Sequence, residues 1–215
     1  YLHSDDRTDI AAMATISTIS QPLRGEFIRT AATAGAVVYQ VDARLPALIP
    51  VFFAGQLSAV RLCAVMALVS GAWSSLTGLP DEPENGEAAL PVSPETEYQR
   101  RRYTLTLQNG RSGERVESVL TEASSRLRGD LLRNLIITGL ALHTTAPELP
   151  RLLASMPVPP TSVSELQALV QQMAGTADVN RAAAAVPDTP TASAAPVSGS
   201  DTREIKKNMR RAFGD

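Results

Sequence analysis

Three consecutive arginines, Arg100 to Arg102, are the residues in this chain best suited to chemistry, and two tyrosines, Tyr98 and Tyr103, flank them. Guanidinium groups bind phosphates in a bidentate manner, and aromatic rings stack on unpaired bases. Two further arginines follow in a segment that could fold back beside the triplet. The sequence therefore predicts a nucleic-acid-binding patch formed by Arg100, Arg101, Arg102, Tyr103, Arg111 and Arg115.

A structural interpretation of the same arginines stays open. Charged side chains on an edge strand deter edge-to-edge pairing, and these arginines could also pair with acidic residues just upstream. The arginine bias of the whole chain is ambiguous as well. Lys206 and Lys207 are the only lysines among 20 cationic side chains, but GC-rich coding sequence raises arginine content without selection for binding.

A second candidate site lies at the C-terminus, where three apolar residues recur at helical spacing with basic residues between them. A lone helix of this length is marginal in water and becomes ordered when its apolar stripe docks on another surface. We therefore expect a partner-docking arm, with Ile205, Met209 and Phe213 as its contacts. The alternative is a frayed, soluble end.

Residues suited to catalysis or metal binding are sparse. His3 and His143 are the only histidines, Cys63 is the only cysteine, and their spacing does not suit zinc. Cys63 lies in an apolar run, which favours a small core residue, and a charged His143 would suit the C-terminal end of a helix. We expect no enzyme, no catalytic residue, no metal, no cofactor and no small-molecule substrate.

Helical spacing of apolar residues predicts most of the elements that would position these sites. The third predicted helix is apolar nearly all round, which is typical of the centre of a bundle. A strand at 36–41 is an alternative to the end of the second helix. The predicted helices span 8–19, 22–38, 51–75, 118–143, about 147–156 and 162–175. Gly129 and Gly139 weaken the fourth of these and leave open a kink or a split near Gly129.

A small β-hairpin is predicted after residue 98. Tyr103, Leu105 and Leu107 alternate with polar residues, and the Asn-Gly pair at 109–110 suits a tight turn. Residues 111–119 would then return as the second strand. The predicted fold class is mainly α, with a helical core, one small β-hairpin and an extended C-terminal arm.

Composition divides the chain into five segments, and no internal repeat is evident. Prolines and acidic residues predict a mobile loop, and a stretch rich in Pro, Ala and Ser predicts a low-complexity linker. The segments are an N-terminal segment at 1–20, the first apolar part of the core at 21–78, the acidic loop at 79–98, the hairpin and second part of the core at 99–185, and the linker with the arm at 186–215.

Charge and hydropathy limit the function classes further. A formal net charge of −2 and a pI near 5.8 exclude a globally basic nucleic-acid binder, so any anion binding must come from local patches. The most apolar region, 46–79, contains Gln56, Arg61 and prolines near its start. These residues favour a buried helix over a membrane span.

The sequence favours a structural subunit of a macromolecular assembly, most concretely a viral coat or nucleocapsid-type protein. Its helical core would pack into a homo-oligomer, and its arginine patch would contact genome phosphates. The alternative is a non-enzymatic cellular adaptor or secretion-apparatus component that docks through the C-terminal arm. No motif identifies a family. The expected location is the virion for a coat protein and the cytoplasm otherwise.

Overall fold

A computed structural model describes residues 1–72, 102–107 and 110–184, and within these ranges the protein is mainly helical. The chain divides into two units, Tyr1–Arg181 and Ala182–Asp215, and the packing described below belongs to the first. A short 3₁₀ turn, Gln21–Leu23, precedes the second helix. The α-helices are α1 Arg7–Ser17, α2 Arg24–Val41, α3 Leu45–Phe52, α4 Ala59–Ser70, α5 Arg111–Glu122, α6 Arg128–Thr145, α7 Leu149–Ser155 and α8 Val163–Ala184.

Local capping residues determine where several helices begin. The Asp6 carboxylate accepts a hydrogen bond from the Asp9 N–H, and the Ser58 and Ser162 hydroxyls accept equivalent bonds at the starts of α4 and α8. Prolines occupy the first turns of α3 and α7, where their missing N–H has no intrahelical partner in any case. The predicted helix from Ser162 is therefore confirmed at its start, although α8 continues past Gly175.

Two predicted helices are each divided in the structure. The apolar run at 51–75 is not one helix, because α3 ends at Phe52, a loop with Gly55 at a positive φ of 100° follows, and α4 begins at Ala59. The predicted helix at 118–143 contains the end of α5, a five-residue connection and most of α6. The alternative strand at 36–41 is wrong as well, since those residues belong to α2.

The return strand of the predicted hairpin is also wrong. Residues 111–119 lie in α5, and Gly110 precedes this helix with a φ of 139° instead of closing a turn between strands. The preceding segment, 102–107, is extended, and its side chains alternate between partly buried and exposed. Tyr103 and Leu105 pack against the core. The described residues contain no strand, and the C-terminal arm lies outside them.

The expectation of no internal repeat is wrong, because α5 to α8 repeat α1 to α4. Each of these helices begins 104 positions after its counterpart, as Arg111 follows Arg7 and Val163 follows Ala59. The connections repeat too. The Arg24 Nε donates to the Ile19 carbonyl at 2.8 Å, and the Arg128 Nε donates to the equivalent Ala123 carbonyl at 3.2 Å.

The two halves are related by an approximate two-fold axis that passes through the crossing of α2 and α6. A Cβ atom at Gly35 would overlap the Leu135 carbonyl, and a Cβ atom at Gly139 would overlap the Ala31 carbonyl. These contacts are reciprocal, because Gly139 and Leu135 are the repeat equivalents of Gly35 and Ala31. Only glycine allows the two helix backbones to approach this closely.

Each short helix, α3 or α7, packs on the long helix of the other half. Helix α3 of the first half packs on α6 of the second, and α7 of the second half packs on α2 of the first. Residues from both halves therefore share one core, in which repeat-equivalent leucines such as Leu45 and Leu149 are completely buried. Since each half completes the other's core, the first unit folds as a single body.

Candidate functional site

A network of charged groups joins α1 of the first half to α6 of the second. The Asp9 side chain is only 1% exposed, and its Oδ1 accepts a 2.6 Å hydrogen bond from the Arg133 Nε. A second nitrogen of the same guanidinium lies 3.0 Å from an oxygen of Asp6. The buried carboxylate also accepts the His3 N–H at 2.8 Å. Each charge is thus paired, as buried charges must be.

The backbone of α1 fixes this arrangement. Asp6 caps the helix with one carboxylate oxygen and binds Arg133 with the other. Asp9 lies in the first turn, where a negative charge is favoured by the helix dipole. Around these groups an open crevice is lined by residues of the N-terminus and of the first turns of α6, namely Tyr1, His3, Asp5, Asp6, Asp9, Gly129, Asp130, Arg133 and Asn134.

The other half of the molecule has an equivalent of Arg133 but no equivalent of the Asp6 and Asp9 carboxylates. Arg29 is the counterpart of Arg133, whereas Gly110 and Gly113 stand at the positions of Asp6 and Asp9. Helix α2 packs on α5 through Ala32 and Val116, so Arg29 and Gly113 each lie one turn before this contact. Among the described residues, no carboxylate forms an ion pair with the Arg29 side chain. Sequence reasoning missed this arginine, although the repeated spacing of Arg24 to Arg29 and Arg128 to Arg133 marks it.

The predicted nucleic-acid patch lies partly within the described residues. Arg102 is exposed in the extended segment, and Tyr103 is half-buried against the core. Arg111 and Arg115 lie one turn apart on α5 and not on a strand, with Arg111 exposed and Arg115 half-buried. Arg100 and Arg101 fall outside the described residues, as do the docking residues Ile205, Met209 and Phe213. The patch therefore stays a prediction.

Cys63 and His143 make contacts within the helical core and its connections. Cys63 is buried, and desolvation raises the pKa of its thiol, so the less reactive neutral form is favoured. The His143 Nδ1 lies 3.1 Å from the Pro147 carbonyl, and the ring packs edge-on against Phe27. No cluster of three or more His, Cys, Asp or Glu residues within the described ranges is placed to hold a metal ion.

Two exposed leucines mark an identical surface element in both halves. Leu23 and Leu127 precede the long helices α2 and α6, share φ and ψ angles of −92° and −11°, and are 56% and 58% exposed. Each begins the sequence Leu-Arg-Gly followed by an acid. The arginines cap backbone carbonyls of the preceding connection. A Cβ atom at Gly129 would have open space, so packing within the described residues does not require that glycine.

Comparison with known protein families matches two separate segments of the chain. The model of a family described as plasmid stability protein matches residues 1–66 and 101–170, which is well over half of the chain. The chain belongs to this plasmid stability family. The matched segments correspond to the two structural repeats, and the family model omits the acidic stretch between them. No curated protein and no solved structure matches the chain.

Membership of the plasmid stability family overturns the coat-protein interpretation. A viral coat or nucleocapsid protein, a capsid and a virion location are wrong, because the matched family serves plasmids and both halves of the helical core belong to it. The prediction of a helical core is confirmed. Among the described helices, none combines the length and apolar character that crossing a membrane requires.

Proposed function

We propose that this protein contributes to plasmid stability as a non-enzymatic helical scaffold that contacts DNA phosphates through arginines at the α5 end of its core. The family match over both repeats is the observation that carries the plasmid role. The DNA contact is supported by arginine chemistry, because guanidinium groups bind phosphate in a bidentate manner.

A difference in charge between the two-fold-related ends supports this assignment of the DNA-binding face. The start of α1 carries Asp5, Asp6 and Asp9. The equivalent start of α5 has glycines in place of the last two acids, and it adds Arg115 where α1 has Ala11. The start of α5 thus carries fewer acids than the start of α1, with Arg111 and Arg115 beside Glu114 and Glu117. Since the net charge of the chain is −2, a local basic face is required for binding to a polyanion.

The pairing of the buried Asp9 carboxylate within the fold supports a non-enzymatic role. Asp9 is committed to Arg133 and to the His3 backbone, and the buried Thr33 hydroxyl donates to the Arg29 carbonyl. A catalytic carboxylate needs to face a substrate, whereas Asp9 faces its own chain. The proposed function is therefore binding.

Self-association is a further part of the proposal. Leu23 and Leu127 present the same apolar contact twice, and Val51 and Phe52 at the end of α3 are 72% and 47% exposed. Exposed apolar side chains that recur on two-fold-related surfaces suit contacts between copies of a symmetric protein. Sedimentation of wild type against a Leu23→Ser, Leu127→Ser variant tests this: unchanged mass would remove these leucines from any self-contact.

The DNA contact is tested by measuring duplex binding at several salt concentrations. Arg111→Gln with Arg115→Gln should lower the slope of log affinity against log salt by up to about 1.8, because each phosphate that the protein neutralises accounts for about 0.9 of that slope. The matched control is Arg61→Gln with Arg151→Gln, which removes the same charge from exposed positions on α4 and α7. Equal reductions in both variants would contradict a DNA-binding face at α5. The same pair of variants should differ in a plasmid-loss assay.

A further inference from the structure

We propose that copies of this chain associate head to tail through two corners of the fold that are equivalent in the repeat. The first corner is the turn from α3 into α4, residues 51–58, and the second corner is the turn from α7 into α8, residues 155–162. The first corner of one copy packs on the second corner of the next copy. This proposal deepens the self-association proposed above and rests on it.

Both corners expose large apolar side chains. Val51 and Phe52 are exposed in the first corner, and Val158 is 76% exposed in the second. The repeat shows that the fold does not require apolar residues at these positions, because Ser155 is the equivalent of Val51 and Ala54 is the equivalent of Val158. Apolar side chains that are exposed and not needed by the fold favour a contact with another protein surface.

Equivalent hydrogen bonds hold the backbone beside each corner. The Thr8 Oγ1 donates to the Pro50 carbonyl at 3.2 Å, and the Ser112 Oγ donates to the Ala154 carbonyl at 3.3 Å. Helix α1 thus supports the end of α3 in the same way that α5 supports the end of α7. Because this backbone is held within each copy, association costs less ordering entropy than it would for a free segment.

Charge complementarity identifies a second copy of this chain as the partner. Arg61 and Glu165 occupy equivalent positions in the first turns of α4 and α8, directly after the corners, and both are exposed. A contact between two first corners would place an arginine on both sides of the interface, and a contact between two second corners would place a glutamate on both sides. Like charges across an interface are unfavourable. The complementary pair is therefore one first corner with one second corner.

Head-to-tail pairing determines what kind of assembly forms. Each copy uses its first corner on one neighbour and its second corner on another, so the contact does not close within a dimer. Contacts of this type generate rings or open chains. The mass of the assembly should therefore rise beyond that of a dimer as the protein concentration increases.

The experiment is sedimentation of the full chain over a concentration series, with Leu23→Ser and Leu127→Ser in every sample so that these leucines make no contact. Val51→Asp disables the first corner, and Val158→Asp disables the second. Each variant alone should sediment as a monomer, because its intact corner has no complementary partner. An equimolar mixture should sediment with about twice the mass of one chain, because each variant supplies the corner that the other lacks.

Leu68→Asp in the same background is the matched control, because it replaces an exposed apolar residue of α4 that lies outside both corners. It should leave the assembly unchanged. Thermal unfolding checks that each variant is folded. If an aspartate variant is unfolded, Val51→Ser or Val158→Ala takes its place, since each introduces the residue that the other half has there, and the mixture should again be heavier than either variant alone.

The outcomes separate this proposal from the self-association on which it rests. A corner variant that associates by itself, a mixture that stays monomeric, or an equal loss of mass in the Leu68→Asp control would overturn the pairing of unlike corners. If wild type associates but the leucine background is monomeric, the leucines alone account for association and only the corner contact fails. A monomeric wild type would overturn both.

Discussion

At the scale of single residues, identical arginines have different roles because of what stands opposite them. Arg133 meets Asp9, whose side chain is 1% exposed, so its charge neutralises a buried carboxylate. Arg29 occupies the equivalent position of the other half, where Gly113 stands in place of the acid at position 9. The arginine thus holds a buried ion pair in one half, whereas its counterpart forms no ion pair with a described carboxylate in the other.

This difference predicts unequal costs for the same substitution. Arg133→Met leaves the buried Asp9 carboxylate without its cation and should lower the free energy of unfolding by about 2–4 kcal/mol. The two-fold-related control, Arg29→Met, removes no ion pair and should change stability by less than about 0.5 kcal/mol. Urea denaturation of both variants measures the two changes in the free energy of unfolding. Equal costs would mean that the Arg133 network contributes no net stability.

Sequence reasoning predicted Arg111 and Arg115 as nucleic-acid contacts because arginine chemistry is evident from residue type alone. It did not predict that Arg29 is the counterpart of Arg133, because the two residues lie in repeats 104 positions apart. Only the repeat shows that Gly110 and Gly113 stand where the first half has its two acids.

At the scale of elements, one capping signal predicted a helix start correctly, whereas Gly175 does not end that helix, which continues to Ala184. The Ser162 and Glu165 pair gave the start of α8, since side-chain caps act within one turn. By contrast, Asn109-Gly110 suited a hairpin, but the residues after it have the apolar spacing of a helix, with Val116 and Val119 buried. A glycine at positive φ serves equally well before a helix and in a turn.

The cap of α8 predicts a pH dependence. Hydrogen bonds from the Thr161 N–H and hydroxyl to the Glu165 carboxylate, followed by one from the Ser162 N–H, lower the pKa of Glu165 below its ordinary value. A lowered folded-state pKa means that the contribution to stability is present above the ordinary glutamate pKa and is lost as pH falls through the folded one.

Glu165→Gln removes the charge but keeps the shape of the side chain, so its effect should follow this titration. The variant should melt below wild type at about pH 7, and the difference should disappear near about pH 3. Thermal unfolding followed by circular dichroism at several pH values measures it. Glu117→Gln on the exposed face of α5 is the control. A difference for Glu165→Gln that persists at the acid end of the series would contradict a role for the ionised carboxylate.

At the scale of the whole molecule, the two-fold axis explains why the halves are inseparable. Helix α3 covers α6, and α7 covers α2, so each half completes the core of the other. The sequence concealed this symmetry because paired positions differ in size, as Ala31 and Leu135 do. The apolar character of both halves was evident, and it was enough to predict a helical core but not how the helices pair.

The crossing of α2 and α6 gives the last prediction. Gly35→Ala would place a methyl group against the Leu135 backbone, 2.8 Å from its Cα atom, and Gly139→Ala would place one 2.5 Å from the Ala31 Cα atom. Backbone cannot move aside as a flexible side chain does, so each substitution should force the helices apart and cost about 3 kcal/mol or more.

Gly129→Ala is the matched control, because it also lies in α6 but a Cβ atom there meets nothing within 4 Å. It should leave stability unchanged or raise it by up to about 1 kcal/mol, since alanine favours helix over glycine. Thermal unfolding of the three variants distinguishes the effect of helix propensity from the effect of steric overlap at the crossing. If Gly35→Ala and Gly139→Ala behaved like Gly129→Ala, helix propensity alone would account for the glycines, and the close two-fold crossing would not hold the halves together.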